Sequence, residues 1–143
     1  MRVVLDTNIV VAALLSGGGA SRRILRLCLE RKVTPLIGAA LFAEYEDVLG
    51  RSDLFARCAL DAAERDVLFD ALMSVSTWTP VYYLWRPNLP DPGDDHLVEL
   101  AVAGGADWIV TTNLRDLWRG ELRFNNVTTG TAGDFLNAWE TRS

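Results

Sequence analysis

The first eight residues constrain this chain most. Met1-Arg2-Val3-Val4-Leu5-Asp6-Thr7-Asn8 is a short apolar run that stops at a carboxylate. Two small hydrogen-bonding side chains follow, and an apolar helical pattern starts at Ile9. An apolar strand of this kind suits a parallel sheet covered on both faces. Open α/β sheets place their ligands at the carboxyl ends of such strands. Asp6 cannot be a core residue without a partner, because an unpaired buried carboxylate is costly. It is therefore either a helix-capping residue or the first member of an acidic site.

The same alternation continues along the chain. Arg2 to Leu5 reads as a strand and Asn8 to Leu15 as a short helix. Ser16-Gly17-Gly18-Gly19-Ala20 is a flexible loop, and Ser21 reads as the N-cap of a helix with the stripe Ile24, Leu25, Leu27 and Cys28. Val33 to Ile37 is a second strand, where Pro35 predicts an irregular or edge position. Ala39 to Leu49 is helical and closed by Gly50. Ser52 to Ala59 and Asp61 to Ser76 read as a helical pair, the second with Val67, Leu68, Ala71 and Leu72 on one face. Trp78 to Trp85 is a β-rich aromatic run, and Pro87 to Gly93 a turn segment. Asp94 to Ala103 is helical and stops at Gly104-Gly105. Trp108 to Thr112 and, more weakly, Asn126 to Thr129 are strands, and Asp134 to Trp139 is a closing helix. No internal repeat or linker interrupts the pattern. It predicts one α/β domain over residues 1–143, with a central, mostly parallel sheet of four or five strands between helical layers.

Composition narrows the function classes. At 143 residues the chain can bury one substantial core. Its longest apolar runs are too short to span a bilayer, and Met1 runs straight into the strand, so neither membrane nor signal segment is expected. Cys28 and Cys58 fall in helical apolar patterns and read as reduced thiols in a cytoplasmic protein. A single histidine and no Cys-x-x-Cys argue against structural zinc. The net charge of -5 argues against a module that holds nucleic acid by its phosphates alone. It leaves room for a nuclease, whose carboxylates hold a divalent ion that meets the phosphate.

The acidic residues fall in a pattern. Trp108-Ile109-Val110 ends in Thr111-Thr112-Asn113, with Asp116 three residues further on. If this strand lies beside the first, both polar sets share one rim. The preceding helix opens with Asp91-Pro92-Gly93-Asp94-Asp95. On a helical period Asp94 shares a face with Leu97 and Ala101, while Asp95 and Glu99 point more toward solvent. Helix capping and the macrodipole account for such acids equally well when they are taken alone. Glu44 and Glu46 lie on opposite edges of an apolar helix face, and periodicity does not choose between them.

Taken together, these segments resemble the PIN-domain family, especially the VapC-like PIN toxins of bacterial and archaeal toxin–antitoxin systems. The resemblance rests on four stretches in order. These are Leu5-Asp6-Thr7-Asn8, the segment Leu41 to Leu49 with Glu44-Tyr45, the segment Asp91 to Val98 followed by Gly105 to Thr111, and Asn113-Leu114-Arg115-Asp116-Leu117. It implies a three-layer α/β/α sandwich and a Mg²⁺- or Mn²⁺-dependent endoribonuclease with one or two ions. Asp6, Glu44, Asp94 and Asp116 would form the metal and catalytic set. Thr7, Asn8, Asp95, Thr111 and Asn113 would support it, with Asp95 the rival to Asp94 and Asn113 the rival to Asp116. Leu117 departs from the family, where an aromatic is common. In-line attack by water would leave a 5′-phosphate and a 3′-hydroxyl. The implied partners are RNA, a cognate antitoxin and a second copy of the chain.

Other features carry less. Ser16 and the glycine loop lack a P-loop lysine and follow a helix, so they read as a connector that the resemblance places near substrate. Arg22, Arg23, Arg26 and Arg31 read as a solvated face, and Arg115 and Arg119 as candidate RNA contacts. His96 reads as a surface or capping residue. Trp78, Tyr82, Tyr83 and Trp85 suggest a protein contact, such as a homodimer. Two other readings remain open at this level. One is a phosphohydrolase with Asp6 as nucleophile, although Asn8 stands where that chemistry wants a second Asp. The other is an idle interaction module that keeps the fold.

Overall fold

The computed structural model describes residues 1–81, 95–112 and 127–142. Along the chain run β1 (Arg2–Leu5), α1 (Thr7–Leu15), α2 (Ala20–Leu29), β2 (Thr34–Ile37), α3 (Ala39–Leu49), a 3-10 turn (Ser52–Phe55), α4 (Ala62–Val75) and β3 (Thr77–Trp78). After these come α5 (Asp95–Gly104), β4 (Trp108–Val110), β5 (Thr128–Gly130) and α6 (Ala132–Thr141). The five strands form one sheet in the order β3-β2-β1-β4-β5, and every described pairing is parallel. Helices surround the sheet in an α/β/α arrangement. Val3, Val4, Ile109 and Val110 are almost wholly buried at its centre, which is why β1 and β4 read as uninterrupted apolar runs.

This strand order creates the feature that places the site. From β1 the chain steps outward to β2 and β3, then crosses back to β4 on the other side of β1. The order reverses between β1 and β4. Helices therefore leave the sheet in opposite senses there, and a crevice opens at the carboxyl ends of these two strands.

Several local expectations are corrected. Pro35 sits inside the sheet, because β2 lies between β1 and β3. The Thr34 N–H donates to Met1 on the β1 side, so the position of Pro35 faces β3, whose pairing begins only at Leu36. The missing donor is thus never asked for. Ser21 is not the N-cap of α2; Gly19 holds that place without any side-chain bond. The first of the two expected helices after Gly50 is only a 3-10 turn. Val67 is 67% exposed, and of the four residues assigned to one face of α4 only Leu72 is fully buried. Asp61 starts α4 with a full capping box through Glu64, and Thr131 starts α6 in the same way through Asp134. At the end of α5, Gly105 takes φ +65°, the left-handed stop that glycine favours. Cys28 and Cys58 are free thiols, and burial pushes the Cys28 thiol up to about 12. Among the described residues no helix is long and apolar enough to cross a membrane. The aromatic stretch beyond Val81 lies outside the described residues.

Candidate active site

Asp6 ends β1 and occupies the N-cap position of α1, yet its side chain makes no capping hydrogen bond. Its backbone N–H donates to Val110 at 3.0 Å, which extends the β1–β4 ladder one step into the crevice. The carboxylate accepts from the Thr111 hydroxyl at 2.6 Å. Thr111 is wholly buried and follows β4 directly, so the two strand ends share one rim as their similar sequences predict. The Asp6 side chain thus reaches across to Thr111 and does not cap α1.

Glu44 reaches the same rim from the middle of α3. Its two carboxylate oxygens have different partners: Oε1 accepts from the Thr7 hydroxyl, and Oε2 lies 3.0 Å from His96 Nε2. Glu46 is exposed on the other edge of α3. The helix turns one acidic edge toward α1 and α5 and the other toward water, the choice periodicity alone leaves open. Thr7 also differs in detail from its expected role. Its hydroxyl holds Glu44, while its backbone N–H bonds Asp6, so one residue serves both carboxylates.

Burial raises the Asp6 carboxyl above its ordinary value of 3.8. The bonds from Thr111 and the Thr7 backbone pull the other way, and the nearby Glu44 charge adds to the rise. Among the described residues Glu44 is thus an unfavourable neighbour of the ionised Asp6 carboxylate, and His96 partly offsets it.

His96 is no surface residue. Its side chain is 20% exposed and lies between α5 and α3 against Glu44. Its Nδ1 is buried and has no hydrogen-bond partner among the described residues. Glu99 is 6% exposed, which overturns its expected solvent position on α5. Leu97 and Ala101 pack inward as the helical period requires. Tyr45 is a positioning residue that pattern reading passed over. Buried beside Glu44, it donates its hydroxyl to the Leu5 carbonyl at 2.5 Å and so ties α3 to the strand carrying Asp6. The available signal was a tyrosine on the apolar face of α3, since a buried hydroxyl must find an acceptor.

Asn8 stands 3.5 Å from the Thr112 hydroxyl, a weak link across the crevice. Ser16 is exposed beyond the far end of α1, roughly 14 Å along the helix from Asp6. The structure does not bring it to the rim. Arg22 donates to the carbonyls of Ala13 and Leu14 and satisfies the end of α1, and Arg23 pairs with Glu140. Asp94, Asn113, Arg115 and Asp116, with the side chain of Asp95, lie outside the described residues.

A family profile described as the PIN domain matches residues 2–115. The chain belongs to the PIN-domain family. The match takes in Asp6, Glu44, Asp94, Asn113 and Arg115 and stops one residue short of Asp116. No curated protein matches this PIN domain in sequence. In structure it is similar to a chain of VapBC2 from Rickettsia felis, solved bound to a DNA fragment from their promoter. That likeness has a TM-score of 0.58 at 17% identity and covers 92% of this chain and 98% of the other, which shows a shared fold.

The donors on the rim of this PIN domain are carboxylate and hydroxyl oxygens, the set that suits a hard divalent cation such as Mg²⁺ or Mn²⁺. A cation there would offset the charge that helps raise the Asp6 carboxyl. Among the described residues no group of three or more His, Cys, Asp or Glu side chains is placed to hold a metal.

Proposed function

We propose that this PIN domain is a divalent-metal-dependent endoribonuclease and the toxin of a toxin–antitoxin pair. The observation that carries the reading is the pair Asp6 and Glu44, converging on the crevice where the strand order reverses. Asp6 and Glu44 would hold Mg²⁺ or Mn²⁺ there, with Asp94 and Asp116 completing the set. When bound, such an ion activates water and polarises a phosphoryl oxygen.

The chain's own residues do the rest. Thr111 and the Thr7 backbone keep the Asp6 carboxylate oriented and favour its ionised form. Thr7 and His96 fix the two oxygens of Glu44, so that its long side chain loses little freedom on engaging a ligand. Tyr45 locks the helix that presents Glu44 to the strand that presents Asp6. Arg115 is the proposed contact to the RNA backbone.

The toxin assignment draws support from the likeness to a chain of VapBC2, a toxin–antitoxin complex, and implies an antitoxin that binds the free enzyme. A homodimer and a cytoplasmic location belong to the same proposal. The deciding experiment is cleavage of a mixed RNA pool with Mn²⁺, with Mg²⁺ and with chelator, beside Asp94→Asn, together with Mn²⁺ titration by calorimetry. Metal-dependent cutting that Asp94→Asn abolishes is expected. An enzyme that neither cuts nor binds Mn²⁺ would sink the proposal in favour of an idle module. Covalent labelling of Asp6 by a phosphate analogue would replace it with a phosphohydrolase.

A further inference from the structure

Beside the acidic rim lies a cavity of about 390 Å³ that the metal chemistry does not use. It opens at the carboxyl ends of β2 and β3, between the first turn of α3 and the inner face of α5. Among the described residues, Leu41, Pro80, Val81 and Trp78 give it apolar walls, and His96 and Glu99 are its ionisable lining groups. His96 belongs to both places, since its ring lines the cavity while its Nε2 faces Glu44. A compartment that is mostly apolar and has a few convergent polar groups is the usual form of a small-ligand site. Its volume stands near the lower end of such sites, suited to one planar ring system rather than a run of stacked nucleotides.

We propose that this cavity is a subsite for one unstacked nucleobase of the RNA strand, seated against Trp78 with its polar edge toward His96 and Glu99. The inference rests on the ribonuclease reading and gives it a positioning element. Single-stranded RNA is recognised by splaying bases out and stacking them on aromatic side chains. Trp78 is 55% exposed, an unusual position for so large an apolar ring. It is also braced. Phe42 meets it edge to face at 5.9 Å, and Phe69 stacks on Phe42 and meets Tyr45, whose hydroxyl holds β1. This aromatic chain fixes the platform relative to the strand that carries Asp6. The His96 ring lines the cavity, and its buried Nδ1 has no hydrogen-bond partner among the described residues. A base held here sets which phosphodiester lies over the acidic rim.

The test uses the full chain in chelator, so that binding is read without cleavage. Tryptophan emission is followed on titration with each of the four ribonucleosides. Saturable quenching is expected for at least one, lost in Trp78→Phe. It should weaken about tenfold in Ala40→Phe, which narrows the mouth from α3. Trp78→Phe and Trp78→Tyr keep a stacking face and should retain affinity measured by calorimetry, whereas Trp78→Ala should lose it, and circular dichroism confirms that each variant folds. No saturable quenching, or quenching unchanged in Trp78→Phe, overturns the subsite even if the enzyme cuts RNA. Nucleoside binding without any metal-dependent cutting instead breaks the ribonuclease reading. Sedimentation in which Trp78→Phe or Ala40→Phe dissociates a dimer would make this face a contact with a second copy and overturn the proposal.

Discussion

The β1–α1 corner and the middle of α3 each bring one carboxylate to the rim, by opposite means. Asp6 is 7% exposed and sits on the last step of a buried ladder, where the backbone itself aims it. Glu44 rides on a helix with its side chain 40% exposed, and side-chain partners from α1 and α5 aim it. A strand end positions a short acid through main-chain hydrogen bonds. A helix presents a longer acid that must be clamped. The first therefore tolerates little change at the acid itself, and the second depends on its neighbours.

The largest expected effect is at Asp6. Asp6→Asn should lower metal-dependent cleavage by more than about 100-fold, since losing even an outer-shell partner costs 10–100-fold. Its stability should move the other way in metal-free buffer. The folded state holds the Asp6 proton more tightly than the unfolded state does, so this group favours folding at low pH. That contribution is lost as pH rises from the unfolded value near 3.8 through the higher folded value. Metal-free Asp6→Asn should accordingly unfold at a higher temperature than wild type at pH 7, with the gap closing in acid. Added Mn²⁺ should raise the wild-type Tm and leave the variant in place. Calorimetry across pH reads all three, and a wild type that stays the more stable at pH 7 without metal would contradict the assignment of Asp6 as a charge under strain.

Next comes the pair on α3. Glu44→Gln should cut Mn²⁺ affinity about 10–100-fold, and Glu46→Gln should change neither binding nor stability beyond about 0.5 kcal/mol. Equal effects of the two would erase the distinction between the helix edges. Thr111→Val should weaken Mn²⁺ binding by about tenfold, because it removes a hydroxyl that favours the ionised Asp6. A titration curve unchanged from wild type would show that the ladder alone orients Asp6. Tyr45→Phe should act on stability alone, costing about 1 kcal/mol in denaturant unfolding from the lost bond to Leu5. A loss of Mn²⁺ affinity larger than that of Thr111→Val would show that the α3 tie, rather than the strand end, governs the rim.

Much of the fold was legible along the chain. Strands and helices appear in the expected order, and two apolar runs ending in polar residues are indeed neighbours. Where reading failed, the missing information was non-local. Ser21 carried a capping side chain, but the loop geometry made Gly19 the first residue of the turn. Val67 has the apolar character of a core residue, yet α4 turns it outward because only the Leu72 side meets the core. Glu99 looked like a solvated helix edge and is buried where α5 lines the cavity.

The sequence by itself determined the alternation of buried strands and helices and the placing of an acid where the first strand stops. Both follow from apolar runs and turn chemistry that act within a few residues. The tertiary structure alone decided that Glu44 rather than Glu46 faces the rim, that Thr7 serves two carboxylates, that Pro35 is harmless inside a sheet and that His96 bridges the acids to a cavity. Each of these depends on which face of one element meets another across the sheet's point of reversal, and packing of the whole core sets that.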